Sequence, residues 1–377
     1  MIYWLYEHRD LFSSSEGLLY KVLNIFKYHT FRAGGAAITA FFLSVFFGER
    51  LIRKLISLKI GQPVRSAEEV HKLYELHGKK AGTPTMGGLL IVGSLVISTL
   101  IWSKWENLMV WAVLFTTVGL GLLGFWDDFL KISKKNSKGV SARTKLAWQC
   151  GVAMVAATIF AYGLNPAPDE VSLRALYIPF FKDAIIPDMG LFSIAFFTLI
   201  IVGASNAVNL TDGLDGLATG CSLTTALAYA GFGYICGNAR YSAYLDVPHF
   251  TAAAELPIIA MGLAGACLGF LWFNAHPARM FMGDTGSLAL GGCIASLAIA
   301  CKQEIVLVVV GGVFVMEAVS VMVQVFSFKT RGKRIFRMSP IHHHFELGGW
   351  HENQVIVRFW ILSLIFALLA LATLKIR

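Results

Sequence analysis

Apolar runs close to bilayer-spanning length recur from end to end of this 377-residue chain, and no other feature narrows its possible folds further. About 20 helical residues cross the hydrocarbon core of a bilayer. Runs that are apolar all round leave no polar stripe for the water-facing side of a soluble helix. They fall near 31–55, 84–103, 108–128, 144–163, 191–209, 216–236, 253–273, 286–301, 305–328 and 354–375. Lipid supplies no partner for backbone N–H and C=O groups, so a spanning segment is either a helix or part of a closed barrel. These runs are too long and too evenly apolar for barrel strands. The expected fold is all-α, a polytopic integral membrane protein of about ten transmembrane helices. Only 15% of the residues are charged, against about a quarter in soluble chains, which excludes an ordinary soluble enzyme.

Residues 1–30 mix Trp4, Tyr6, Glu7, His8, Arg9 and Asp10, without the apolar core and small-residue site of a cleavable signal peptide. They are expected to form an amphipathic surface segment, with 31–377 as a single transmembrane domain. The six cysteines (Cys150, Cys221, Cys236, Cys267, Cys293, Cys301) lie in or beside apolar runs with no CxxC spacing, which predicts buried thiols.

Lysine and arginine in the connections set the orientation. One set of loops carries Lys59, Arg65, Lys72, Lys79, Lys80, Lys131, Lys134, Lys135, Lys138, Arg143, Arg279, Lys329, Arg331, Lys333, Arg334 and Arg337. The opposite loops hold Lys104, Arg174, Lys182, Arg240 and Lys302. The first set is expected to be cytoplasmic, and an even number of spans then places both termini outside. The net charge of +9 fits this asymmetry and basic loops lying on anionic headgroups; it also fits an anionic substrate arriving from the cytoplasm.

The other polar residues gather on that same face. An ionised Asp costs ~2.5–3.5 kcal/mol at a helix centre on insertion scales, so acids beside spans mark candidate sites. Asp127 and Asp128 close the third run. Being adjacent, they diverge by about 100° on a helix, so one could face a metal or phosphate while the other takes a proton. A solvated acidic helix end balanced by Lys131, Lys134 and Lys135 is the plainer alternative. Asn206, Asn209, Asp212 and Asp215 follow one another at intervals of three, close to one helix face, with Gly213 and Gly216 after the two aspartates. Polar caps at a helix end would give the same residues.

Asp284 lies in Phe281-Met-Gly-Asp-Thr-Gly-Ser, a layout that offers backbone amides and a carboxylate to a metal-bound phosphate. Hard oxygen ligands favour Mg²⁺ over zinc. His342, His343 and His344 project in different directions and have no Cys or HExxH partner, so contact with an anionic ligand or proton shuttling suits them better than zinc. Lys79 and Lys80 lead into Gly82-Thr-Pro-Thr-Met-Gly-Gly. The lysines and hydroxyls could contact phosphate or a uracil ring; equally, Thr83 could cap a helix opened by Pro84.

Taken together, four stretches resemble the polyprenyl-phosphate N-acetylhexosamine-1-phosphate transferases. They are His77-Gly-Lys-Lys-Ala-Gly-Thr-Pro-Thr-Met-Gly-Gly, Gly124-Phe-Trp-Asp-Asp-Phe, Asn206-Ala-Val-Asn-Leu-Thr-Asp-Gly-Leu-Asp-Gly-Leu and Asn274-Ala-His-Pro-Ala-Arg-Met-Phe-Met-Gly-Asp-Thr-Gly-Ser. The likeness runs from about residue 30 to 375. Within that family, Pro340-Ile-His-His-His-Phe-Glu-Leu-Gly-Gly-Trp is similar to the branch that acts on UDP-N-acetylmuramoyl-pentapeptide.

The resemblance implies transfer of phospho-N-acetylmuramoyl-pentapeptide to undecaprenyl phosphate with release of UMP. It also implies a Mg²⁺ requirement, ten spans, a homodimer in the bacterial cytoplasmic membrane, and no nucleic-acid partner. Carried over by motif, Asp284 and Asp212 are the metal positions. Asp127, Asp128, Asp284 and His342 are the catalytic ones, with Asp127 the candidate base toward the lipid phosphate. Lys80, Thr85, Asn206, Asn209, Asp212, Asp215, Asn274, Phe281, His343 and His344 are substrate-binding positions, and of these Lys80, Asp215, Asn274 and Phe281 surround the uridine.

No Ser, Cys or Lys stands beside a general base, which favours direct displacement over a covalent aspartyl intermediate. The rival readings are a sister transferase using UDP-N-acetylglucosamine and a secondary transporter. A transporter wants carboxylates near the midplane, where Glu317 is the best candidate.

Overall fold

The computed structural model describes residues 1–12, 17–58, 82–134, 139–163 and 170–375. Among these, the chain is helical, with an isolated β-bridge between Leu176 and Ile186. Ten long helices run in chain order: α1 (His29–Ser57), α2 (Gly88–Trp102), α3 (Leu108–Ser133), α4 (Ala142–Tyr162), α5 (Phe192–Thr211), α6 (Leu217–Cys236), α7 (Leu256–Asn274), α8 (Gly283–Ala300), α9 (Gly312–Arg331) and α10 (Glu352–Ala372). Each coincides with one expected run. Eight are long and apolar enough to cross a membrane, and the other two are α2, with 15 residues, and α6, with 20. The chain is a multi-pass membrane protein.

Two run boundaries differ from expectation. The second run does not become helical at Pro84. Residues 84–87 instead form a turn, with Met86 at φ +76°, bonded to the start of α8: the Phe281 N–H donates to Pro84 O, and the N–H groups of Gly87 and Gly88 donate to Phe281 O and Met282 O. The ninth run is interrupted, a single turn Leu307–Val310 preceding α9.

Local chemistry fixes several helix ends. The Asn107 side chain accepts from Met109 N at the start of α3, and Ser141 from Thr144 N at the start of α4. A reciprocal His351–Gln354 capping box opens α10, and Gly332 closes α9 with φ +65°.

The middle of the bundle is α8, buried at every residue from Thr285 to Ala300 and packed on α2, α3, α5 and α6. In lipid, helix association depends on close packing rather than on the hydrophobic effect, so small residues belong at the crossings. A Cβ on Gly88 would lie 2.0 Å from Gly286 N, one on Gly124 would lie 2.1 Å from Asp284 O, and one on Gly291 would lie 2.5 Å from Ala204 O. Likewise α7 meets α1 where a Cβ on Gly265 would come within 2.1 Å of Ala37 O. All six cysteines are free thiols, five of them buried as expected and Cys150 half-buried.

Alternation of helix direction brings the ends of α1, α3, α5 and α7 and the starts of α2, α4, α8 and α10 to one end of the bundle. Every described polar cluster singled out in the sequence lies there, including the histidine segment, a short helix Ile341–Glu346 between α9 and α10.

Candidate active site

Two helices bring three carboxylates together. Asp127 and Asp128 come from the last turns of α3 and Asp284 from the first turn of α8; one oxygen of each lies within 4.8 Å of the others. Neither α3 aspartate is a solvated helix end: Asp127 is 3% and Asp128 4% exposed. As adjacent helical residues they point apart. Asp128 caps α8, accepting from Asp284 N (3.2 Å), Thr285 N (3.0 Å) and the Thr285 hydroxyl (2.8 Å). The amides expected to be offered to phosphate are therefore already satisfied by a neighbouring helix. Gly283 makes this fit possible. Its φ is +73°, and a Cβ there would lie 2.6 Å from Asp128 Oδ2 and 2.9 Å from Thr85 Oγ1, which places buried Thr85 at the same corner.

Asp127 turns the other way. Its Oδ1 accepts from Val140 N (2.6 Å) and its Oδ2 meets Lys131 Nζ one turn on (2.5 Å). Asp284 faces Lys131 (3.1 Å) and Lys145 (2.8 Å), while its other oxygen accepts from Asn209 Nδ2 (2.8 Å), which also reaches Ser287 Oγ (2.8 Å). Lys131 thus bridges two carboxylates from different helices: a cation already stands between the acids. The donor set is hard oxygen throughout and suits a hard divalent ion. Asp212, the residue that ends α5, belongs to the same group. Burial, with the Asp284 and Asp128 carboxylates adding to it, pushes its carboxyl up to about 8.

The four polar residues at intervals of three do not stay on one strip, because α5 ends at Thr211. Asn206 donates to Gln149 Oε1 on α4 (3.1 Å), and Asn209 and Asp212 belong to the acid cluster. Asp215 turns away, with Gly216 at φ +75° completing the bend. Its Oδ2 accepts from Ala278 N (3.0 Å) and lies 3.1 Å from His276 Nδ1, while its own N–H donates to Glu352 Oε1 (3.2 Å). Asn274 is buried and spans the same loop, donating to Met280 O (2.9 Å) and accepting from the Thr219 hydroxyl (3.0 Å). Phe281 is held by its backbone beside Pro84 and Gly87. Asp215, His276 and Glu352 form a second group able to hold a cation.

His342 is fully buried, with Nδ1 3.1 Å from Glu317 Oε1 on α9. His343 pairs with Glu346 (2.8 Å), and His344 Nδ1 accepts from Arg337 N (3.1 Å). Lys80 lies outside the described residues. Sequence reading missed Lys145, Gln149 and Glu352. Lys145 and Gln149 share a face of α4, four residues apart, but nothing local says that this face meets α5 and α8.

Residues 110–302 match the model of glycosyl transferase family 4, and residues 80–92 match the phospho-N-acetylmuramoyl-pentapeptide-transferase signature 1. A phospho-N-acetylmuramoyl-pentapeptide-transferase of Methylacidiphilum infernorum (isolate V4) is 51% identical over 356 residues, covering 94% of this chain and 96% of the relative. The chain belongs to the phospho-N-acetylmuramoyl-pentapeptide-transferase family. A second relative of that name, from Geobacter sp. (strain M21), is 52% identical over 358 residues, 95% of this chain and 97% of its own. Nearly full-length coverage of both chains puts every helix and loop of the acid cluster inside the shared region. The protein is thus a membrane-embedded transferase.

Proposed function

We propose that the chain transfers phospho-N-acetylmuramoyl-pentapeptide from UDP to undecaprenyl phosphate, forming lipid I and releasing UMP. The observation that carries this reading is the convergence of Asp127, Asp128 and Asp284, two of them bridged by the Lys131 ammonium, in a family whose relatives bear that name. Phosphoryl transfer leaves the protein mainly to position groups and balance charge, and a buried acid cluster with two lysines at the end of a helical bundle suits both.

Asp284 and Asp212 would hold Mg²⁺, which supplies neutralisation of the diphosphate and of the departing UMP. Lys131 and Lys145 hold Asp284 in place from two sides. Asp128 sets the angle of α8 and so the position of Asp284. Asp127, whose Oδ2 meets an ammonium, takes the last proton of the acceptor phosphate so that its oxygen can attack the sugar-linked phosphorus. Lys80, Asn274, Phe281 and Asp215 frame the uridine, with Asp215, through His276 and Ala278, keeping the α7–α8 loop folded over it, and Thr85 is a further substrate-binding position. The acid cluster lies at the cytoplasmic end of the bundle, both termini lie outside, and residues 1–30 rest on the outer surface of the inner membrane. The active species is a homodimer.

The test follows UMP release by detergent-solubilised protein given UDP-N-acetylmuramoyl-pentapeptide, undecaprenyl phosphate and Mg²⁺, beside Asp284→Ala. Release that needs lipid, metal and Asp284 supports the reading. Turnover only with UDP-N-acetylglucosamine would move the chain to a sister activity, and an isolated aspartyl-linked sugar phosphate would replace direct displacement with a two-step route.

A further inference from the structure

Glu317 and His342 form the one buried acid–imidazole pair described outside the acid cluster and its loops in which neither side chain is exposed at all. Their contact is short, 3.1 Å from Nδ1 to Oε1, yet it lies off the line of a hydrogen bond. Among the described residues, both carboxylate oxygens and both ring nitrogens are left without hydrogen-bond partners. The Ser320 hydroxyl, one turn along α9, donates to the Glu317 backbone carbonyl and not to its carboxylate. A buried carboxylate with so little compensation is expensive, and an apolar pair of the same volume would be no less stable.

The far side of the imidazole shows what the pair holds. A Cβ on Gly213 would lie 2.3 Å from His342 Nε2 and 2.8 Å from Cε1, so the ring lies directly on the backbone of the turn that follows α5. That turn carries Asp212 into the acid cluster on one side of Gly213 and Asp215 to His276 on the other. The His343 ring, 4.1 Å from that of His342, closes a further side.

We infer that Glu317 is a positioning residue: it fixes the His342 ring against Gly213 and thereby seats the 212–215 turn that presents Asp212 to the metal. His342 then acts through Gly213 rather than on the substrate. This rests on the proposed role of Asp212 as a metal ligand. Residues that orient metal ligands from behind typically change metal affinity or activity 10–100-fold when altered.

The experiment compares full-length wild type, Glu317→Gln, Glu317→Asp, His342→Ala, Gly213→Ala and Glu317→Gln/His342→Ala in detergent. Two readouts are taken: Mn²⁺ binding followed by electron paramagnetic resonance, and UMP release as a function of Mg²⁺ and of each substrate. Glu317→Gln is expected to weaken Mn²⁺ binding and raise the Mg²⁺ needed for half-maximal rate by about tenfold, with the KM for undecaprenyl phosphate unchanged. Glu317→Asp restores part of the loss, the double variant is no worse than His342→Ala alone, and Gly213→Ala reproduces the metal defect. The inference is overturned if Glu317→Gln only lowers the yield of folded protein while the metal midpoints stay put, or if the Glu317 and His342 effects multiply. Wild type that binds Mn²⁺ but releases no UMP would count against the transferase reading; the variant comparison by Mn²⁺ binding would still decide the role of Glu317.

Discussion

Asp127 and Asp128 are neighbours with the same chemistry, and what separates them is the set of donors each meets. Asp128 receives two backbone N–H groups and a hydroxyl from the first turn of α8, so its charge faces the positive end of a helix. Asp127 receives one backbone N–H and faces Lys131, which also has Asp284 for company. Exchanging an oxygen for an amide therefore has unequal consequences. In Asp128→Asn, the new NH₂ group confronts donors, and α8 loses most of its cap, about 1–2 kcal/mol of stability. In Asp127→Asn, Lys131 keeps a carboxylate partner and stability changes little, while UMP release falls because the proton acceptor is gone. Thermal unfolding in detergent, read beside the rate of UMP release, separates the two. Equal stability loss in both variants would show that the cap on α8 is not what Asp128 provides.

Helix crossings set where these side chains stand. At Gly124 the backbone of α3 passes so close to α8 that a Cβ would lie 2.1 Å from Asp284 O and 2.5 Å from Thr285 N, with no flexible side chain to give way. Gly124→Ala must push α3 away from α8 one turn from Asp127 and Asp128. The expected outcome is a loss of at least about 1–3 kcal/mol together with a fall in activity as the carboxylates separate from Asp284. Gly119→Ala on the same helix meets only Val152 side-chain atoms, the nearest at 2.8 Å, and should be much milder in both assays. Equal effects from the two would mean that the α3–α8 distance is not critical. The same crossings explain what the sequence could and could not reveal. Each span was legible because lipid allows an apolar run one secondary structure. The acids were legible because charge beside a span needs a reason. Lys145 and Gln149 were not, since their partners Asp284 and Asn206 lie on other helices and depend on how α4 crosses α5. The 206–215 series looked like one face because its spacing is helical, but the helix stops at Thr211, and a left-handed glycine then sends Asp215 elsewhere.

Across the bundle, the two ends treat basic residues differently. At the end away from the acid cluster, Arg32 is fully buried and bonded twice to Glu255 (2.7 and 2.6 Å), Lys302 is buried against Glu304, Arg174 meets Asp188 and Lys182 meets Asp246. These four cations are each paired with a carboxylate. At the other end, Arg331 closes α9 and Lys333 and Arg334 follow it, all three exposed, a cationic rim of the kind retained in the cytoplasm during insertion. That asymmetry predicts the orientation of the whole molecule, and native thiols make it measurable, because five of the six cysteines are buried and Cys150 is half-buried. In intact cells, a membrane-impermeant maleimide should label Lys182→Cys in the loop before α5 and leave Lys333→Cys untouched. Permeabilising the inner membrane should then expose Lys333→Cys at least about tenfold more than before, as positive-inside insertion requires. The opposite pattern would place the acid cluster outside, beyond reach of a cytoplasmic nucleotide-linked donor, and with it would fall the proposed substrate as well as the orientation.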